Sequence, residues 1–268
     1  MRFESPKMKM KRTHGKIGRA YFGSRSDAAR WVRDSLRIQI IERSEGALLA
    51  RGDSLPSEDC LCATFGVSRN AIRESLDLLR QEGLVERIPG VGTILKSSKI
   101  CQRLDRLKGL SESLEGSQLS VTNGILAGRD VSANSFVAQK LGVPEGTPVV
   151  FVERLRIVDG TAFSLDDSYV RTDVVQDLLG ADLLNRDLFS LLEELQQASL
   201  GWAEIKTEAV AADESTAEIL CVDVGSPLLL VHRMVYLDDG TPLDLEVVRY
   251  RGDRSYLCST LRRNFLQM

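Results

Sequence analysis

Apolar and polar positions first follow a helical spacing. Ala28, Val32, Leu36 and Ile40 recur four apart on one face, with Ser26 as the expected N-cap. Gly46 and Gly52 punctuate the loop that follows. Leu55-Pro56-Ser57-Glu58 then reads as a helix start, with Ser57 capping and Leu61 and Phe65 turned inward. Gly66 supplies a tight turn, Val67 plugs it, and Ser68 caps a further helix. In that helix Ile72, Leu76 and Leu79 form an apolar stripe, and Ile72 and Leu76 are expected to be buried against Val32 and Leu36. Two short extended runs, Leu84 to Ile88 and Thr93 to Leu95, flank Pro89-Gly90-Val91-Gly92, the pattern of a hairpin with a glycine-rich tip. Helix, helix, turn, helix, hairpin predicts a winged helix-turn-helix over residues 26–98.

The segment Lys96 to Asn123 is polar, and residues 99–119 read as a linker with one short helix. An internal repeat follows, residues 138–159 aligning with 217–238 without a gap. Shared or similar positions include Ala138/Ala217, Leu141/Leu220, Gly146/Gly225, Pro148/Pro227, Arg154/Arg233 and Asp159/Asp238. Each copy reads as a short helix, a Gly-Pro turn, a β-branched strand, an Asp-Gly turn and a second strand, Ala162 to Arg171 in one copy and Pro242 to Arg251 in the other. Two such hairpins pair into one antiparallel sheet. A helical stretch from Asp173 to Ala198 is expected to cover a face. The fold class is therefore α+β, with a second domain over residues 120–268.

Composition is compatible with this division. The chain has 268 residues, 43% of them hydrophobic and 27% charged, which exceeds one typical domain and provides ample core. It has no apolar run of the roughly 18 residues a membrane helix needs. The basic N-terminus has no hydrophobic stretch, so it is not read as a secretory leader, and the expected location is cytoplasmic. The net charge of -3 hides an asymmetry: about +7 over residues 1–25, about -1 over 26–98 and about -9 over 99–268. A basic arm over residues 1–25 suits a polyanion, although a solvated leader has the same composition. Cys60, Cys62, Cys101, Cys221 and Cys258 are scattered and odd in number, and read as reduced thiols packed mostly as small hydrophobes. With only His14 and His232 and no phosphate loop, neither a metal nor a cofactor is expected.

Arg69 and Arg73 are four apart, on the helical face opposite the apolar stripe. Alone they read as a solvated face. Behind a capped turn and ahead of a glycine-tipped hairpin, arginines at a helix start point to guanine edges and phosphates. The segments Leu55-Pro56-Ser57-Glu58, Phe65-Gly66-Val67-Ser68-Arg69, Ile72-Arg73-Glu74-Ser75-Leu76, Glu82-Gly83-Leu84-Val85 and Gly90-Val91-Gly92-Thr93 resemble the DNA-binding domain of GntR-type transcription regulators. The resemblance implies a double-stranded DNA operator contacted by Ser57, Ser68, Arg69, Asn70 and Arg73, with Gly90 and Gly92 at a wing tip near the minor groove. Asp59 stands where the family usually has Arg, and Asn70 where it usually has Thr. Asp59 removes one expected contact and adds like-charge repulsion.

The C-terminal region resembles the UTRA effector-binding domain of the HutC-like branch of those regulators. Its anchors are Arg154-Leu155-Arg156, Asp166 with Ser168-Tyr169, Asp187-Leu188-Phe189, Leu220 through Pro227, and Asp244 with Tyr250-Arg251-Gly252-Asp253-Arg254. The resemblance implies a chorismate-lyase-like fold that binds a small-molecule effector without turning it over, and a homodimer acting as a repressor on a palindromic operator. It places Arg154, Arg156, Asp166, Asp187, Phe189, Asp244 and Tyr250 toward the effector. In such domains phosphorylated sugars are held by arginines of the first hairpin and a serine-bearing turn, where this chain has Asp187, and Phe189 stands where tyrosine is usual. The expected effector is thus not a sugar phosphate, unless Asp187 merely caps the Leu188 helix and points away. Two other readings remain: a lyase-fold enzyme with an accessory DNA-binding unit, for which Asp166 and Asp244 would be the carboxylate pair, and a DNA-binding protein whose C-terminal domain only dimerises.

Overall fold

The fold was obtained as a computed structural model, which describes residues 24–45, 52–96, 99–117 and 119–261. The basic arm, apart from its last two residues, and Gly46 lie outside the described residues. The chain forms two compact units that divide between Ile100 and Cys101.

The first unit contains α1 (Arg25–Glu45), α2 (Glu58–Phe65), α3 (Arg69–Gln81), β1 (Val85–Ile88) and β2 (Gly92–Leu95). The cap of α1 is Ser24 rather than Ser26: its hydroxyl accepts from the Asp27 amide at 3.2 Å. Ser57 and Ser68 cap α2 and α3, accepting from the amides of Cys60 and Ala71, each at 3.3 Å. Gly66 closes α2 in the left-handed region at φ 68°, where a Cβ is penalised. Val32, Leu36 and Ile40 pack with Leu61, Phe65, Ile72, Leu79, Leu84 and Leu95 into one core. Leu76 differs from expectation and is only partly buried. The buried arc of α3 runs through Ala71, Ile72, Ser75 and Leu79, so Leu76 falls on its flank. Small residues explain the rotation. Ala71 meets Ala28 and Ala29 of α1, and the buried Ser75 hydroxyl donates to its own helix at Ile72 O, 2.7 Å away, leaving no unsatisfied donor.

The second unit contains β3 (Ile100–Arg103) from its second residue onward, α4 (Leu110–Ser113), β4 (Val121–Ser132), α5 (Ser135–Leu141), β5 (Pro148–Val158), β6 (Thr161–Arg171), α6 (Leu188–Gln196), β7 (Leu200–Ala211), α7 (Glu214–Leu220), β8 (Pro227–Leu237), β9 (Pro242–Arg251) and β10 (Ser255–Cys258). Its six-stranded sheet has the order β4-β5-β6-β9-β8-β7, and every neighbouring pair is antiparallel. The order is symmetric about the β6–β9 seam, so the internal repeat is a pseudo-two-fold of the sheet. It is also longer than the sequence similarity. Strands β4 and β7 are each 12 residues, and Asn134 and Asp213 cap the helix that follows each. Arg171 and Arg251 donate to the C-terminal carbonyls of the two repeat helices, Leu141 O at 3.4 Å and Leu220 O at 3.1 Å.

Helices α5 and α7 pack on one face of the sheet, and α6 packs on the other with Val150, Val152, Val170, Val235 and Leu243. The helix expected from Asp173 to Ala198 is shorter. Only a 3-10 turn at Leu178–Gly180 and α6 form, because Asp177 adopts φ 58° and Asn185 turns back onto Asp182, local bonding that competes with a helix. Strands β3 and β10 pair with each other, and Cys101 and Cys258 are joined by a disulfide. That corrects the reading of all five cysteines as thiols. The free ones are Cys60, Cys62 and Cys221, of which Cys60 and Cys221 are exposed rather than packed. Among the described residues no helix is long and apolar enough to cross a membrane, and no group of three or more His, Cys, Asp or Glu side chains could hold a metal ion.

Candidate functional site

Two clusters of the predicted residues emerge, one in each unit. In the first, Arg69, Asn70 and Arg73 occupy the exposed face of α3, opposite its buried arc. Ser57 and Ser68 are exposed at the two helix starts, their hydroxyls already engaged as caps. The β1–β2 turn presents Val91, 62% exposed, between Gly90 and Gly92. Gly92 sits at φ 116° with nothing near its Cβ position, so any larger residue there meets backbone strain rather than a clash. Both arginines carry carboxylate partners from α2: Arg69 pairs with Asp59, and Arg73 Nε lies 2.9 Å from Glu58 Oε2. Arg87 on β1 reaches the other Glu58 oxygen at 3.5 Å, so Glu58 bridges α3 and the hairpin. The sequence reading missed Arg87. Only the β1 register marks it, since it is exposed and opposed to Thr93.

In the second unit, Arg154 and Arg156 of β5 project from the sheet face that α6 covers, and both are buried. Each repeat contributes the same cross-strand motif, Arg154 opposite Asp166 and Arg233 opposite Glu246. Arg233 Nη1 lies 2.8 Å from Glu246 Oε2, and its guanidinium stands 5.3 Å over the Phe189 ring. Asp166 accepts from Ser164 Oγ at 2.6 Å and lies 3.9 Å from Arg156. Arg156 pairs with Asp187. Although Asp187 occupies the N-cap position of α6, its side chain makes no capping bond. Instead its oxygens accept from Ser111 Oγ at 3.2 Å and from the Glu112 amide at 3.0 Å. Arg154, Arg156, Ser164, Asp166, Phe189, Arg233 and Glu246, with Gln102, Lys108, Gly109 and Tyr250, line a cavity of about 20 Å³, which Asp187 meets through Arg156 rather than by lining it.

Burial dominates the electrostatics here. It lowers the proton affinity of Arg154, with Arg156 adding to the effect. It works the same way on Arg233, but Glu246 reverses it and holds that guanidinium firmly charged. Burial pushes the Tyr250 phenol up to about 12, so it stays a hydroxyl at neutral pH. Asp244 does not reach the cavity. It is fully buried with both oxygens lacking a hydrogen-bond partner, and burial followed by the Glu246 charge raises its pKa well above the usual value. Asp166 and Asp244 are therefore not a facing pair. Arg233 and Glu246 were missed at the sequence level, although the repeat alignment had already matched Arg233 to Arg154. A larger groove of about 410 Å³ lies on the other sheet face along β7, but its Glu204, Lys206 and Glu208 are exposed, without the buried, convergent polar groups of a small-molecule site.

Comparison with known proteins assigns a known domain to each unit. Residues 29–95 match the model for bacterial regulatory proteins of the gntR family, and residues 117–255, just over half of the chain, match the UTRA domain. The chain is 26% identical to the HTH-type transcriptional repressor NagR of Bacillus subtilis over 75% of its own length and 82% of that protein. It is 29% identical to the HTH-type transcriptional repressor PhnF of Mycolicibacterium smegmatis, over 76% of this chain and 82% of that one. The crystal structure of PhnF from that organism superposes with a TM-score of 0.65 at 24% identity, covering 87% of this chain and all of that one, which shows the shared fold. These relatives are transcription regulators rather than enzymes. The chain belongs to the gntR family of bacterial regulatory proteins, in the group that carries a UTRA domain, and is a ligand-responsive DNA-binding transcription regulator.

Proposed function

We propose that the chain is a repressor that binds a two-fold symmetric operator as a homodimer, through residues 26–98, and releases it when a small molecule enters the UTRA domain. The observation that carries the DNA reading is the exposed Arg69, Asn70 and Arg73 face at the capped start of α3, the geometry that puts a recognition helix into a major groove. Ser57 and Ser68 hold the helix starts and direct remaining amides toward phosphate, and the Gly90–Gly92 tip fits a minor groove. Two copies would present two such helices, so half-sites follow from the protein's own symmetry. The Arg154, Arg156, Asp166, Asp187, Phe189 and Tyr250 cluster is the effector site, with Asp244 beneath it rather than in contact. An effector acts by binding one domain arrangement more tightly than the other. Relatives named as repressors, NagR and PhnF among them, support the sign of the regulation.

The test is selection of duplexes from a random pool by the full-length chain, followed by footprinting of the enriched site. A palindromic footprint that weakens by about 1–3 kcal/mol in Arg69→Ala and Arg73→Ala is the expected result. A footprint that survives the double arginine variant removes α3 from recognition. Sedimentation of the free protein as a monomer at micromolar concentration would overturn the dimer.

A further inference from the structure

Arg156, the Ser111 hydroxyl and the Glu112 amide converge on one point, and that point holds a carboxylate of the chain itself, Asp187. The side chain of Asp187 is 2% exposed and that of Arg156 is 3% exposed. Three donors around a buried anion make a complete anion seat. The main chain is shaped to that occupant. A Cβ on Gly109 would lie 2.3 Å from the Asp187 Cγ, so the segment over the cavity tolerates the carboxylate only because residue 109 is glycine.

The charges around this seat also close without an outside partner. Arg154, Arg156 and Arg233 face Asp166, Asp187 and Glu246. Lys108 adds a cation at the exposed rim, where solvent screens it. Bringing a further acidic group to Arg156 would displace Asp187, or place two anions together in a dry site, where each uncompensated charge is expensive. What remains unused in the cavity wall is a set of hydrogen-bond donors: the Nε atoms of Arg154, Arg156 and Arg233 and the Gln102 Nε2 lack partners.

We propose that Asp187 is a built-in anion that fills the seat formed by Arg156, Ser111 and Glu112, so that the effector is a molecule with no net charge, rich in hydroxyl or carbonyl groups and without a phosphate. This rests on the reading of the cavity as the effector site. A cavity of about 20 Å³ admits roughly one water, so such a molecule enters by outward movement of the Lys108–Leu110 segment and not by replacing the Asp187 carboxylate.

Binding of inorganic phosphate to the full-length chain tests the seat, read by calorimetry and by the thermal transition. The wild-type chain is expected to show no Arg156-dependent binding of phosphate. Asp187→Ser removes the internal anion, and Asp187→Asn removes its charge with little change of shape. In either variant phosphate affinity should rise tenfold or more over wild type, the worth of a single charge-assisted bond, and Arg156→Ala in the same background should abolish the gain. Phosphate binding to wild type that is lost in Arg156→Ala overturns the proposal, as does a folded Asp187 variant with no gain. If neither variant folds, the wild-type arm decides alone. The binding assay uses no DNA, so failure of the repressor reading shows as a missing footprint while the phosphate result stands.

Discussion

Arg233 and Glu246 stand directly opposite each other on β8 and β9, and the largely buried Arg233 side chain meets the buried Glu246 carboxylate at 2.8 Å. The pair is the second repeat's counterpart of Arg154 and Asp166, and it fixes the wall of the cavity beneath Phe189. Removing one partner leaves the other charge buried and alone. Glu246→Ala is therefore expected to cost about 3–5 kcal/mol, read as the urea-induced loss of circular dichroism from the UTRA domain. A loss below about 1 kcal/mol would mean that water reaches Arg233 in the variant.

Asp244 gives a pH dependence whose sign is set by burial. Its folded pKa is raised, first by desolvation and then by Glu246. A raised carboxyl favours the folded state fully below the ordinary carboxylate range of about 4 and loses that contribution as pH rises through the folded value. Asp244→Asn cannot ionise. The variant should match wild type in stability near pH 4 and exceed it near about pH 8, as measured by chemical denaturation across that range. A constant difference at all pH values would show that Asp244 has the same pKa in the native as in the unfolded protein, so that burial does not raise it.

The N-terminal core distinguishes two leucines of one stripe. Leu79 is fully buried and Leu76 only partly. Leu79→Ala should cost about 2–5 kcal/mol, and Leu76→Ala distinctly less, in the thermal transition of the DNA-binding unit. Equal losses would return Leu76 to the centre of the core.

Asp59 and Arg69 are both largely exposed, so their pair adds at most about 1 kcal/mol to stability. Its effect falls on DNA. Asp59→Asn removes a carboxylate from the recognition surface and releases Arg69 to phosphate. Non-specific binding should tighten, and the slope of log affinity against log salt should steepen by about one unit. An unchanged slope in a binding titration would place Asp59 away from the phosphate path.

Gly92 tests the hairpin tip. At φ 116° and with open space around its Cβ position, Gly92→Val should distort the turn through backbone strain of about 1–3 kcal/mol. Operator affinity should drop while the C-terminal unit keeps its own thermal transition.

The local pattern determined much of this protein. Helix faces, the Ser57 and Ser68 caps, the Gly66 turn, the glycine-tipped hairpin and the two repeat hairpins follow from spacing and from residues whose conformational preferences act within a few positions. The exposed face of α3 was legible for the same reason, since a helix that buries one arc must expose the other. Tertiary structure decided what depends on residues far apart in the chain. Strands β4 and β7 are exposed along much of their length, without a clean apolar alternation, and gain their form by pairing with β5 and β8. Cys101 and Cys258, separated by 157 positions, meet only because β3 and β10 do. The fate of Asp187 belongs to the same class. Adjacent residues suggested a helix cap or a ligand contact, but its partners are Arg156, Ser111 and Glu112. A buried carboxylate goes to whichever donors the folded chain gathers around it, and that gathering is not written in its neighbours.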